Sequence, residues 1–155
     1  MEVTQDNLRK YANYREQMTR LKKAMQAEFY LEAIFIEYAI MEDRLESALR
    51  HAGRLKPGKY HPIGRKCAML LQATKEKDIA ARYFPETLLQ SVLAWKEERN
   101  RLIHALMKQE LHTADLRAFA EAGQQIVKTL NSKTTSYNRA LQRKNAKENT
   151  TCRNR

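Results

Sequence analysis

The sequence has few residues that interrupt helices: among 155 residues there are only four glycines and three prolines. Good helix formers dominate instead, namely Leu, Ala, Glu, Lys, Arg, Gln and Met. Hydrophobic residues make up 43% of the chain and charged residues 30%, which is the composition of a globular domain with a buried core rather than of a disordered chain. We therefore expect a single all-α fold.

Cysteine is scarce too, since only Cys67 and Cys152 occur and they form no Cys-x-x-Cys pair. Neither a zinc framework nor a redox motif is supported. The sequence also contains no Gly-rich phosphate loop, no His-Glu-x-x-His motif and no nucleophile elbow. We expect no metal and no cofactor, with His51, His61 and His112 as surface residues rather than metal ligands.

Long apolar runs are missing as well, and none approaches the roughly 20 residues of a membrane-spanning helix. The segment from Met1 to Leu21 is charged throughout and lacks the apolar core of a signal peptide. These absences predict a cytoplasmic protein that has reduced cysteines and no membrane association.

Acidic residues are outnumbered, with 18 Asp and Glu against 29 Lys and Arg, which gives a net charge of +11. Such a chain suits an acidic polymer, RNA or DNA first and an anionic membrane surface second. Charge that only maintains solubility is an equally good explanation at this point.

Apolar residues at every third or fourth position predict helices over 4–27, 28–52, 63–84, 85–110 and 113–130, the third of them broken near 74–78. A basic loop is predicted at 53–62, with Gly53 as the residue that ends the second helix. Residues 1–130 are therefore expected to form an up-and-down bundle of four to five helices.

The composition changes at Asn131. Residues 131–155 hold seven Lys and Arg against one Glu, a charge of +6 out of the total of +11. This segment is predicted to be a basic polar tail, either disordered and solvated or a helical extension. Alternatively, the segment is a basic arm that binds RNA phosphates.

The run from Trp95 to His104 contains an arginine where an apolar residue is expected. At about 100° per residue, Arg99 falls inside the apolar stripe of its helix. A guanidinium there needs water or a carboxylate, because an unpaired buried charge is very costly. Glu37 is the matching exception, at the centre of the apolar stripe of the second helix. We predict that Arg99 and Glu37 meet, and a purely structural ion pair remains an alternative.

His104 lies on a more polar face, roughly 140° from Arg99. Asn100 precedes it by one helical turn, and Lys96 and Lys108 continue the same row in both directions. The row is therefore polar and basic, and it is centred on the one side chain type that titrates near neutral pH.

The stretch Arg99-Asn100-Arg101-Leu102-Ile103-His104 reads Arg-Asn-x-x-x-His. It resembles the Arg-x4-6-His signature of the HEPN superfamily (higher eukaryotes and prokaryotes nucleotide-binding), in which a polar residue, often Asn, follows the arginine. HEPN domains are small helical bundles with this motif late in the bundle. Residues 30–45 are similar to their typical early helix, and the resemblance covers about residues 5–130.

This resemblance implies a metal-independent endoribonuclease in which two chains pair and their Arg–His sets face each other across a shared cleft. By this resemblance His104 acts as general base or acid at the ribose 2′-hydroxyl, and Arg99 stabilises charge on the phosphate. Asn100 orients or contacts the phosphate, and the product is a 2′,3′-cyclic phosphate. We add Glu37 as a supporting residue, and predict that RNA is bound by Lys96, Arg101 and Lys108.

One position departs from a subgroup of the family. HEPN toxins paired with a nucleotidyltransferase antitoxin have a tyrosine two residues after the histidine, where this chain has Leu106. Regulation by nucleotidylation there is not expected, although a toxin or phage-defence effector with an antitoxin or regulatory protein is. Two other functions stay open: a non-catalytic helical module that binds RNA or protein, and a purely structural dimer.

Overall fold

The structure is a computed structural model that describes residues 5–56, 58–76 and 79–153. Within these ranges the chain forms no strand and six helices, which are α1 (Gln5–Gln26), α2 (Tyr30–His51), α3 (Ile63–Lys75), α4 (Ala80–Tyr83), α5 (Glu86–Ala105) and α6 (Thr113–Arg153). The predicted all-α helical bundle is therefore confirmed, although the described residues form six helices instead of the predicted four to five. None of the helices in the described part of the chain has the length and apolar character to cross a membrane.

A tight turn separates α1 from α2, with Glu28 in the left-handed region at φ 61°. The N–H of Glu28 donates to Met25 O at 3.3 Å, and the N–H of Phe29 donates to Ala24 O at 2.9 Å. These are the two hydrogen bonds of a Schellman motif, which satisfies carbonyls left free at a helix end. The first two helices are thus separate, not one kinked helix.

The same motif ends α2, and here the predicted terminator is confirmed. Gly53 adopts φ 66°, and the N–H of Arg54 donates to Leu49 O at 2.9 Å. A Cβ at Gly53 would meet no atom within 4 Å, so only the left-handed backbone itself favours glycine there.

Glu28→Gly is expected to raise the free energy of unfolding by about 0.5–1 kcal/mol. A left-handed conformation costs an L-residue roughly 1–2 kcal/mol, and the extra freedom of glycine in the unfolded chain offsets part of that gain. Urea unfolding measures the change. The matched control is Gly53→Ala, which introduces the same backbone cost without a steric clash and should lower stability by about 1 kcal/mol. Loss of stability in Glu28→Gly would show that the glutamate side chain matters more than its backbone.

The described residues fall into two compact units, and the first contains those up to Ile40 together with Lys96–Gln125. It comprises α1, the first half of α2, the end of α5 and the start of α6. Its buried apolar side chains are Leu21, Ala24, Tyr30, Ala33, Ile34, Ile36, Ile40 and Ala120. All of the predicted site residues lie in this unit.

The second unit contains Met41–Trp95 and the described residues from Ile126 onward. Its core includes a buried lysine, Lys66, whose Nζ lies 2.8 Å from Glu46 Oε2 and 3.3 Å from Glu42 Oε1. Partial burial works to raise the pKa of Glu46, but the hydrogen bonds and charges of Lys66 and Arg50 outweigh it and hold the pKa below its usual value. The charges of this cluster have a structural role, because a buried ammonium group needs carboxylate partners.

Helix α6 continues far beyond Leu130, where the sequence predicted its end, and reaches Arg153. Thr134 and Tyr137 are fully buried and Leu141 is 8% exposed, so the three-to-four spacing of buried positions persists after residue 131. The predicted end was wrong because two of these positions carry hydroxyl groups and do not register as apolar. The segment from residue 131 to Arg153 is therefore a helical extension, and the predicted division at 130/131 falls inside both α6 and the second unit.

Candidate functional site

The predicted ion pair between Arg99 and Glu37 does not form. Glu37 is fully buried, and neither of its carboxyl oxygens accepts a hydrogen bond from any described residue. The guanidinium carbon of Arg99 instead lies 4.5 Å from the centre of the Tyr38 ring, and Arg99 Nη1 donates to Asn100 Oδ1 at 3.3 Å. The arginine thus gains a cation–π contact and a neighbouring amide in place of a carboxylate.

Because no cation among the described residues lies beside Glu37, burial alone sets its protonation state. Burial raises the pKa of Glu37 to about 9, so the side chain is a neutral carboxylic acid at pH 7. A neutral acid offers a guanidinium no ion pair. Arg99 Nε is itself buried, with no acceptor among the described residues, so a potential donor and a potential acceptor both stay unused in this unit.

Helix α5 ends at Ala105, not near residue 110 as predicted. The N–H groups of Lys108 and Gln109 both donate to Ala105 O at 2.9 Å, and the helix is not continued because residues 106–109 form a turn and a bend. Met107 is 96% exposed, so continued helix would have buried little apolar surface at this position. Lys108 therefore does not continue the helical row of Lys96, Asn100 and His104.

A cavity of about 740 Å³ lies at the junction of α5, the connecting residues and the first turns of α6. It brings together three of the predicted site residues, His104, Arg101 and Lys108. Its other polar lining residues are Glu98, Gln109, Glu110, His112 and Asp115, and its apolar lining residues are Leu102, Ala105, Leu111, Leu116 and Phe119. Arg99 and Asn100 are not among the described residues that line it.

The predicted cations near the motif have partners, but weak ones. Arg101 Nη2 lies 2.5 Å from Glu98 Oε2, and Lys96 Nζ lies 2.5 Å from Glu97 Oε1. Arg101 is 76% exposed, and exposed ion pairs of this kind contribute at most about 1 kcal/mol. These side chains can therefore exchange a carboxylate for a phosphate at small cost.

His112 is exposed, as predicted, but it also lines the cavity, and that position was not predicted from the sequence. Its carbonyl oxygen accepts hydrogen bonds from the N–H groups of Asp115 and Leu116, each at 3.1 Å, which places it at the start of α6. His104 is in the last turn of α5. The connection between the helices thus brings two imidazoles to one cavity, and only their positions on either side of a short predicted break hinted at this.

The cavity contains histidines and carboxylates, which are side chains that can bind metal ions. Across the described residues, no group of three or more His, Cys, Asp and Glu side chains is arranged to hold a metal ion.

The first unit also exposes large apolar side chains, two of which lie within or just after the motif in the sequence. Ile103 is 40% exposed and Met107 96%, while on α2 Leu31 is 40% and Phe35 64% exposed. Scattered exposed apolar residues are common in proteins, whereas a contiguous apolar patch marks a surface for association.

Comparison of the chain with known protein families, curated proteins and solved structures gave no match. The resemblance to the HEPN superfamily therefore rests on residues 99–104 and on the order of the helices.

Proposed function

We propose that the chain is a HEPN-type, metal-independent endoribonuclease that cleaves RNA through attack of a ribose 2′-hydroxyl on the adjacent phosphate. One observation carries the proposal: the exposed His104 lines a cavity together with the cations Arg101 and Lys108. An imidazole is the side chain that can exchange protons near pH 7, and guanidinium and ammonium groups bind phosphate oxygens. RNA also suits the net charge of +11.

Arg99 and Asn100 enter this proposal as the residues that stabilise and orient the phosphate. Arg99 would have to leave the face of Tyr38 to reach RNA. That contact is worth about 0.5–2 kcal/mol, whereas a hydrogen bond to a charged group contributes about 1.5–3 kcal/mol. The exchange from ring to phosphate is therefore favourable, and the neutral Glu37 does not oppose it by holding the arginine.

The proposed active form is a homodimer in which the Arg–His sets of two chains share one cleft. The exposed Ile103 next to His104, and the exposed Leu31 and Phe35 of α2, support it, because pairing would remove apolar surface from water. A cytoplasmic toxin or phage-defence effector, held in check by an antitoxin or regulatory protein, is the role that we propose for such an enzyme.

The test is cleavage of total RNA by the purified protein in the presence of EDTA. We expect new ends that carry a 2′,3′-cyclic phosphate and a 5′-hydroxyl, and no cleavage by His104→Ala. The matched control is His51→Ala, which removes an exposed histidine of the second unit and should leave the cleavage unchanged. Activity that requires a divalent metal ion, or that survives in His104→Ala, would contradict the mechanism.

A second function, an RNA-binding module without catalysis, is favoured by one observation. After Leu141, residues 142–150 of α6 are all exposed, and they include Arg143, Lys144 and Lys147. A basic helix end of this kind can bind along the phosphate backbone of RNA without cleaving it. This function predicts salt-sensitive RNA binding that is the same for wild type and His104→Ala.

A further inference from the structure

We propose that His112 is the second acid–base residue of this site and protonates the 5′-oxygen that leaves when RNA is cut. The proposal rests on the ribonuclease function above and adds a residue that the family resemblance does not assign. In each chain of the proposed dimer, His104 acts at the nucleophile and His112 acts at the leaving group.

The geometry of the cavity supports the pairing. His104 and His112 approach it from opposite ends of residues 106–112, and both line it. The hydrogen bonds from Asp115 and Leu116 to the carbonyl of His112 fix its backbone at the start of α6. A volume of about 740 Å³ is in the range of sites that hold small organic ligands, so the cavity has room for a nucleotide with the phosphate that joins it to the next.

Two cations of the lining can hold a phosphodiester between the two imidazoles, while the three acids of the lining act against its charge. The cavity is lined by two cations and three acids, which are Arg101, Lys108, Glu98, Glu110 and Asp115. The cations can bind the non-bridging oxygens of the phosphate. The family resemblance gives His104 as base or acid and names no separate residue for the leaving oxygen, and a second imidazole in the same cavity is an ordinary general acid.

His104, as a neutral imidazole, takes the proton of the 2′-hydroxyl while the 2′-oxygen forms a bond to phosphorus. The bond from phosphorus to the 5′-oxygen breaks, and that oxygen receives a proton from the imidazolium of His112. The products are a 2′,3′-cyclic phosphate and a 5′-hydroxyl, and the two histidines have exchanged protonation states.

The deciding experiment compares an ordinary RNA oligonucleotide with one whose bridging 5′-oxygen is replaced by sulfur, since a thiolate leaves without protonation. We expect His112→Ala to lower kcat/KM on ordinary RNA by about 100-fold or more. On the sulfur-bridged RNA, its loss should shrink to less than about 10-fold. His104→Ala should remain slow on both substrates, because the 2′-hydroxyl still has to be deprotonated.

A second variant distinguishes the loss of a proton donor from a folding defect. His112→Asn keeps a side chain that is favoured at the start of a helix but cannot donate a proton as imidazolium does. It should behave like His112→Ala, with an unchanged helical circular dichroism spectrum. Equal losses on the two substrates, or wild-type rates on both, would overturn the role of His112 while His104 dependence still supports the nuclease. If the wild type cuts neither substrate, the nuclease function itself fails and His112 has no reaction to serve.

Discussion

Replacing Glu37 with glutamine is expected to raise the free energy of unfolding at pH 8 by roughly 3 kcal/mol. Burial raises the pKa of Glu37 to about 9 in the folded chain, against an ordinary value of 4.5. Between these two values the unfolded chain has lost the proton and the folded chain still binds it. The stability that the protonated acid provides is therefore complete below about pH 4.5, falls as the pH rises, and levels off above about pH 9.

Glutamine does not titrate, so its chain should show none of this decline. Its amide brings two donors into a site where no described residue hydrogen-bonds to the side chain, which costs about 1–3 kcal/mol. At pH 5 the variant should consequently be equal to the wild type or slightly less stable, and the two stability curves should cross as the pH rises. Urea unfolding followed by circular dichroism between pH 5 and pH 9 measures both curves.

Glu32→Gln is the matched control, since Glu32 is an exposed glutamate of the same helix and should leave the pH slope unchanged. Parallel curves for the wild type and Glu37→Gln would mean that Glu37 is ionised in the folded chain and paired with Arg99 after all. A double-mutant cycle with Arg99→Met settles the same point: the structure predicts coupling near zero, while a buried ion pair predicts strong coupling.

The helices of this chain were predictable because most of them bury apolar side chains at a regular spacing. The loop around Gly53 and the break between α3 and α4 followed from the same pattern and its interruptions. The end of α6 did not, because Thr134 and Tyr137 bury hydroxyl-bearing side chains that a hydrophobic pattern does not count. A pattern of apolar residues therefore sets a lower limit on the length of a buried helical face.

The site was harder to predict for a different reason. Helical periodicity showed that Arg99 and Glu37 are polar exceptions in apolar stripes. Which partner or protonation state compensates each buried charge depends on its three-dimensional surroundings. Burial made the glutamate neutral, and the aromatic ring of Tyr38 was available to the arginine. His112 was missed because its approach to the cavity of His104 depends on the path of the connection between two helices, which helical periodicity does not describe.

Arg99→Ala is expected to lower kcat/KM for RNA cleavage by about 100- to 1000-fold, the loss found when one group that stabilises transition-state charge is removed. Arg99→Lys should restore little of it, because an ammonium lacks the planar fork that binds two phosphate oxygens at once. Arg101→Ala is the matched control: it removes an exposed cation one turn before Ala105 and should raise KM and weaken the salt dependence with a smaller effect on kcat.

Combining Arg99→Ala with His104→Ala decides whether the two residues act as one unit. If the guanidinium stabilises the charge that the histidine helps to create, the double variant should be about as slow as the worse single variant, instead of showing the product of the two losses. Single-turnover rates at saturating enzyme measure the losses in the chemical step without a contribution from RNA binding. If the Arg99→Ala variant loses stability but keeps its cleavage rate, Arg99 serves only the contact with Tyr38. The cations that act on the phosphate would then be Arg101 and Lys108 of the cavity beside His104.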